Sequence, residues 1–363
     1  MSMPAASLLT RRRLLKATGA TALALAATSL PRWAGFRSGS PHPQLVRSIR
    51  VLMHTYVSIA VTGPDPVTAE HIIDGAFRTM SETAWALSRF EPEGPVGILN
   101  RTGILSDPPA ALIEVLNTAF RISTISNGVF DVTVYPLLAY YQSLTRPVRM
   151  AAIDRTKVEQ LRTLIDFRRL HIGEGKVWLE DPAMAITLDG IAKGYVVDSG
   201  MRYLRNHGIE TAMIDAGGDI GVMAPPDSRF HWNIGIVDPL NPSRFAAMVP
   251  LRRGGLATSG NYEVFYSADR RLYHIINPHT GFSPNFYASV TVLAPTNVEA
   301  DGWGVALSLL PTRQIPGILQ AWPNPLRWYL ISWEGNQRIY SPHFPLEPAG
   351  TGSAAHNFVI NSH

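Results

Sequence analysis

Lys193 stands in the run Leu188-Asp189-Gly190-Ile191-Ala192-Lys193-Gly194. Asp189-Gly190 can start a helix, which places Lys193 and Gly194 in its first turn. A helix start with free N–H groups, small residues and a lysine suits a pyrophosphate. An ordinary capped helix with a surface lysine fits this segment equally well. Other blocks share the same build, glycine beside one or two polar groups in an apolar setting. They are Asn127–Thr133, Asp215-Ala216-Gly217-Gly218-Asp219, Gly255–Tyr262 and Tyr273–Gly281. Loops that close on a ligand are written this way, because glycine lets backbone approach closely. A Gly-x-Gly-x-x-Gly fingerprint, a P-loop, a Ser-His-Asp order and paired zinc-type histidines are all missing from the sequence.

Composition narrows the classes further. A chain of 363 residues with 46% hydrophobic and 17% charged residues can bury a large core. With no cysteine, thiol nucleophiles, thiolate metal sites and disulfides are excluded. The positive charge is local. Residues 1–40 carry Arg11, Arg12, Arg13, Lys16, Arg32 and Arg37 and no acid; removing those six from the net +4 leaves −2 for the rest. A basic balance confined to the N-terminus gives no support to nucleic-acid binding.

That N-terminus reads Thr10-Arg11-Arg12-Arg13-Leu14-Leu15-Lys16, a twin-arginine export pattern, followed by an apolar run from Ala17 to Leu30. The run is short for a membrane span and suits a signal segment, so membrane contact is expected only in transit. The expected division is a signal peptide over 1–34, a linker over 35–44, one large two-lobed domain over 45–347 and a loose tail over 348–363.

The elements that must position the glycine blocks follow from periodicity. Leu45–Val61 reads as extended and Pro66–Phe90 as a long helix. Asp107-Pro108 predicts a helix start with Asp107 as cap, running to about Ser126. Further helices are expected over Asp154–Ile165, Ala192–Asn206, Val298–Leu310 and Thr312–Ala321. A hairpin is expected around Gly173–Gly175, and strands dominate from Thr211 to Val292. Strands and helices cluster rather than alternate, which favours α+β.

In this order, the blocks resemble the ApbE family, the FAD:protein FMN transferases. The resemblance runs from about Met53 to Leu310. It implies mixed sheets with packed helices, FAD as substrate, and Mg²⁺. It implies flavin contacts from Met53, Phe90, Val129, Phe130, Asp131, Thr187, Lys193 and Ile275. Gly190, through its carbonyl, and Asp301 would hold the metal. His274 would act as a base, as would Asp301. Read by themselves, His274 is equally a core histidine and Asp301 a helix cap. The sequence departs from the family pattern at several positions: Thr187 replaces Asp, Asp189 replaces Gly, His54 replaces Gly, Phe90 replaces Tyr, Asn277 replaces Asp and Val305 replaces a metal-binding Thr. The implied reaction moves FMN onto a Ser or Thr hydroxyl of an acceptor, a membrane respiratory protein, and releases AMP. The Leu-Asp-Gly-Ile-Ala run with twin-arginine export is similar to the accessory branch serving nitrous oxide reduction. An exported FAD carrier without catalysis and a metal-dependent FAD pyrophosphatase are the alternatives.

Overall fold

A computed structural model describes residues 44–346, apart from residues 64, 262 and 263. The expected signal peptide, nearly all of the linker and the tail from 348 lie outside the described residues. The first extended stretch is a hairpin, not one strand. Strands β1 (Leu45–Leu52) and β2 (Thr55–Thr62) pair antiparallel from Leu45↔Thr62 to Leu52↔Thr55. Met53 and His54 form the turn, at φ 52° and 62°. A two-residue turn with both residues left-handed matches the twist of the paired strands.

Helix α1 (Pro66–Leu87) is capped by Asp65, whose side chain accepts from the Thr68 N–H at 2.9 Å. It ends at Leu87, so Phe90 lies beyond it. Helix α2 (Pro95–Thr102) and strand β3 (Ile104–Ser106) follow, then helix α3 (Ala110–Ile125). The expected cap at Asp107 is not made. Asp107 lies at φ 50°, and Pro109 occupies the cap position without a side-chain bond. A proline disfavours helical backbone in the residue before it, so Pro109 keeps Pro108 out of the helix. Helices α4 (Tyr135–Ser143) and α5 (Arg155–Arg162) precede the hairpin of β4 (Leu170–Gly173) and β5 (Lys176–Leu179). The hairpin joins β3 in a three-stranded sheet.

Helix α6 (Ala192–Asn206) leads into β6 (Thr211–Ala216), β7 (Asp219–Met223), β8 (Trp232–Asp238), β9 (Asn241–Leu251) and β10 (Gly254–Gly260). Strand β11 (Tyr287–Ala294), helices α7 (Asn297–Ser308) and α8 (Ile315–Leu319), and strands β12 (Arg327–Ser332) and β13 (Arg338–Tyr340) complete the order. The helix expected over Thr312–Ala321 is a 3₁₀ turn at Thr312–Gln314 followed by the short α8.

Eight strands form one sheet in the order β1-β2-β6-β7-β10-β11-β12-β13, antiparallel at every step. Alternate residues face opposite sides, and both sides are covered. Val57, Ile59, Ile214, Val290 and Val292 join the main core with residues of α1, α6 and α7. Ala60, Met213, Leu256 and Leu293 pack instead against Trp232, Ile234 and Val249 of the β8–β9 hairpin. A third cluster joins α4 and α5 to the segment after β10 through Tyr141, Val158, Tyr266, Leu272 and Ile276. The architecture is α+β, as the clustering of elements implies.

Candidate active site

The site forms where α6 and α7 cross the sheet. Helix α6 does not use Asp189 as its cap. Ile191 holds the cap position with no side-chain bond, while the Leu188 carbonyl accepts from Ile191 and Ala192 N–H at 3.0 and 2.8 Å. The Asp189 carboxylate is taken by Arg89 at 2.8 Å. One turn on, the Lys193 ammonium lies 2.6 Å from the Asp219 carboxylate at the start of β7. Gly217 and Gly218 lead into that strand at φ 67° and 97°, a path that favours glycine.

Asp301 is not a cap either. Thr296 caps α7 by accepting from the Glu299 N–H, and Asp301 lies within the helix. Its carboxylate accepts from the Gly194 N–H of α6 at 3.0 Å. Gly194 permits this approach: a Cβ there would lie 2.3 Å from the Asn297 carbonyl and 2.8 Å from the Asp301 Cβ. Asp198, one turn along α6, accepts from the Asn297 and Val298 N–H groups at 2.9 Å each. It therefore bonds the start of α7 to the helix that carries Lys193.

Burial, and then the neighbouring Asp219, push the Asp301 carboxyl well above the usual carboxylate range; Lys193 and the Gly194 N–H offset this in part. Burial likewise pushes Asp215 up to about 6, against its bond from the Gly218 N–H. Three buried carboxylates thus lie around the Lys193 ammonium, and a further cation would be stabilised there. Gly190 is part of the same junction, since a Cβ on it would lie 2.9 Å from the Val305 Cγ2. Asp301 offers a carboxylate and Gly190 a backbone oxygen, the donor types that a hard cation takes. Val305 supplies no oxygen. Among the described residues no three His, Asp or Glu side chains form a metal cluster.

An aromatic platform adjoins this junction. The Phe90 ring is 55% exposed and meets His54 edge-on at 5.5 Å. The Arg89 guanidinium lies 3.9 Å over the Phe90 ring and 4.8 Å over that of Tyr135. Met53, half-buried, shares the β1–β2 turn with His54. The next residue, Thr55, packs on Gly217, where a Cβ would lie 2.6 Å from the Thr55 Oγ1.

The remaining expected residues are distributed as follows. Val129 and Phe130 are packed in the main core. Asp131 accepts from the Thr133 N–H and hydroxyl at 2.8 and 2.6 Å, and from the Phe167 N–H at 2.9 Å. Burial pushes its carboxyl up to about 6. The Thr187 N–H donates to the Val132 carbonyl at 2.8 Å, and its hydroxyl accepts from the Asp189 N–H at 3.2 Å. Thr187 thereby ties the Asp131 block to the loop before α6. Ile275 is buried in the main core. His274, beside it, is half-buried, donates its N–H to the Val264 carbonyl at 3.2 Å and lies edge-on to Tyr273 at 6.2 Å. Both enter on the segment after β10. Asn277 shapes its own turn by accepting from the His279 and Gly281 N–H groups, each at 2.8 Å.

Gly190, Lys193 and Asp301 are therefore brought together. Sequence reasoning missed three contributors. Asp219 closes a glycine block that was visible. Asp198 lies one helical turn from Gly194, a spacing that could have marked it. Arg89 has no local signal, because its partner is 100 positions away.

An antiparallel sheet backed by crossing helices, with a lysine and buried carboxylates at the crossing, defines an α+β class of protein. The chain matches the ApbE family model over residues 53–328 and belongs to that family. The FAD:protein FMN transferase of Salmonella typhimurium is 26% identical over 305 residues, 80% of this chain and 86% of that protein. Two solved structures share the fold. The flavin transferase ApbE of Vibrio cholerae gives a TM-score of 0.69 at 24% identity, covering 83% of this chain and 98% of that one. The ApbE protein of Thermotoga maritima gives 0.72 at 23%, with the same coverage.

Proposed function

We propose that this chain is an FAD:protein FMN transferase that uses Mg²⁺. The observation that carries the reading is the junction itself: Lys193 on Asp219 at 2.6 Å, one residue from the Gly194 N–H that binds Asp301 at 3.0 Å. The Lys193 ammonium binds and orients the FAD diphosphate. Phe90 offers its exposed ring for stacking on the isoalloxazine. An acceptor Ser or Thr hydroxyl oxygen attacks the phosphorus on the FMN side. A new P–O bond forms, the diphosphate P–O bond breaks, and AMP leaves with the bridging oxygen. His274 or Asp301 takes the hydroxyl proton. Mg²⁺, held by Asp301 and the Gly190 carbonyl, supplies neutralisation of phosphate charge.

The reading includes export through Arg11-Arg12 and an acceptor that is a membrane respiratory protein. One observation favours a second reading, an FAD-binding carrier: Val305 puts methyl groups, not an oxygen, against Gly190. Binding tests the diphosphate seat. FAD is expected to bind more tightly than FMN in a fluorescence titration. Lys193→Ala should weaken FAD by about tenfold, as loss of a charge-assisted contact implies. Equal affinity for FAD and FMN would remove the diphosphate seat.

A further inference from the structure

Arg89 has a setting that ring packing alone does not require. Its side chain is only 5% exposed, held between the faces of Phe90 and Tyr135. Its Nε and one terminal nitrogen both reach the same oxygen of Asp189, each at 2.8 Å. Asp189 in turn is 45% exposed and directly precedes Gly190. Its N–H is fixed by the Thr187 hydroxyl at 3.2 Å. An open carboxylate here, four residues before Lys193 and just ahead of α6, would repel an anion approaching that ammonium. The guanidinium is a suitable counterion because it stays charged when buried and can stack and pair at once.

We propose that Arg89 is a positioning residue that neutralises Asp189, so that the loop before α6 accepts a diphosphate-bearing ligand. The effect acts through charge, so it separates a phosphate-bearing flavin from an uncharged one. This inference rests on the FAD reading of the site. It also links the aromatic platform to the anion seat, since one side chain touches both.

The test is a titration of the full chain with FAD and with riboflavin, followed by flavin fluorescence. Arg89→Gln should lower FAD affinity by about fivefold, as for a partly screened charge, and leave riboflavin unchanged. Adding Asp189→Asn to that variant should return FAD affinity to the wild-type range. Asp189→Asn alone, which leaves the arginine and its stacking in place, should bind FAD at least as well as wild type. An equal loss for both flavins that Asp189→Asn does not rescue would make Arg89 a packing residue and overturn the proposal. So would unchanged FAD binding in Arg89→Gln, or weakened FAD binding in Asp189→Asn alone. A wild-type chain that binds riboflavin but not FAD would overturn the FAD reading itself, and this inference with it.

Discussion

At the scale of single residues, Val305 decides how the proposed metal is held. It lies four positions after Asp301 on one face of α7 and packs on Gly190. Threonine has nearly the same shape and adds one hydroxyl. Because ligand number tunes cation affinity, Val305→Thr is expected to lower the Mg²⁺ needed for half-maximal transfer by about threefold. A Mg²⁺ titration that superimposes on wild type would mean that residue 305 does not face the metal. Departures such as Val305 and Asn277 were legible in the sequence as letters. Their consequences were not. Asn277 keeps a turn closed, which its backbone and side-chain bonds show and a pattern comparison does not. Arg89 was illegible because its role depends on two rings and a carboxylate from distant segments.

At the scale of elements, the α6–α7 junction sets the geometry. The Gly194 N–H on Asp301 and the Asp198 carboxylate on the α7 start hold the helices in one register. Gly194→Ala would drive a methyl group into the Asn297 carbonyl and the Asp301 Cβ. It is expected to cost about 1–3 kcal/mol, the usual range for overpacking, and to abolish transfer by shifting Asp301 from Lys193. A denaturation midpoint and a transfer rate both equal to wild type would show slack between the helices. Long periodic helices such as α1 and α6 were readable, since their apolar spacing is local. Their ends were less so. Asp189 looks like a cap, but Arg89 captures it; Asp107 looks like a cap, but Pro109 follows too soon. The β1–β2 turn was missed because Met53-His54 carries none of the usual turn residues.

For the whole molecule, the α+β class followed from clustered elements, whereas the strand order of the large sheet did not. Its pairings join segments far apart, as β2 with β6 and β7 with β10, and no local pattern encodes them. The proposed export is a property of the whole chain. Replacing Arg11 and Arg12 by lysine keeps the charge and is expected to leave precursor in the cytoplasm; normal export would remove the twin-arginine route. The central claim is covalent transfer, and one measurement addresses it. The chain is incubated with FAD, Mg²⁺ and membranes carrying candidate acceptors, then run on a denaturing gel for flavin fluorescence while AMP is quantified. The account predicts a fluorescent acceptor band with matching AMP release, both lost in Asp301→Ala. AMP with free FMN and no labelled protein would make the chain a pyrophosphatase, and bound FAD with no AMP would make it a carrier; either result contradicts transfer.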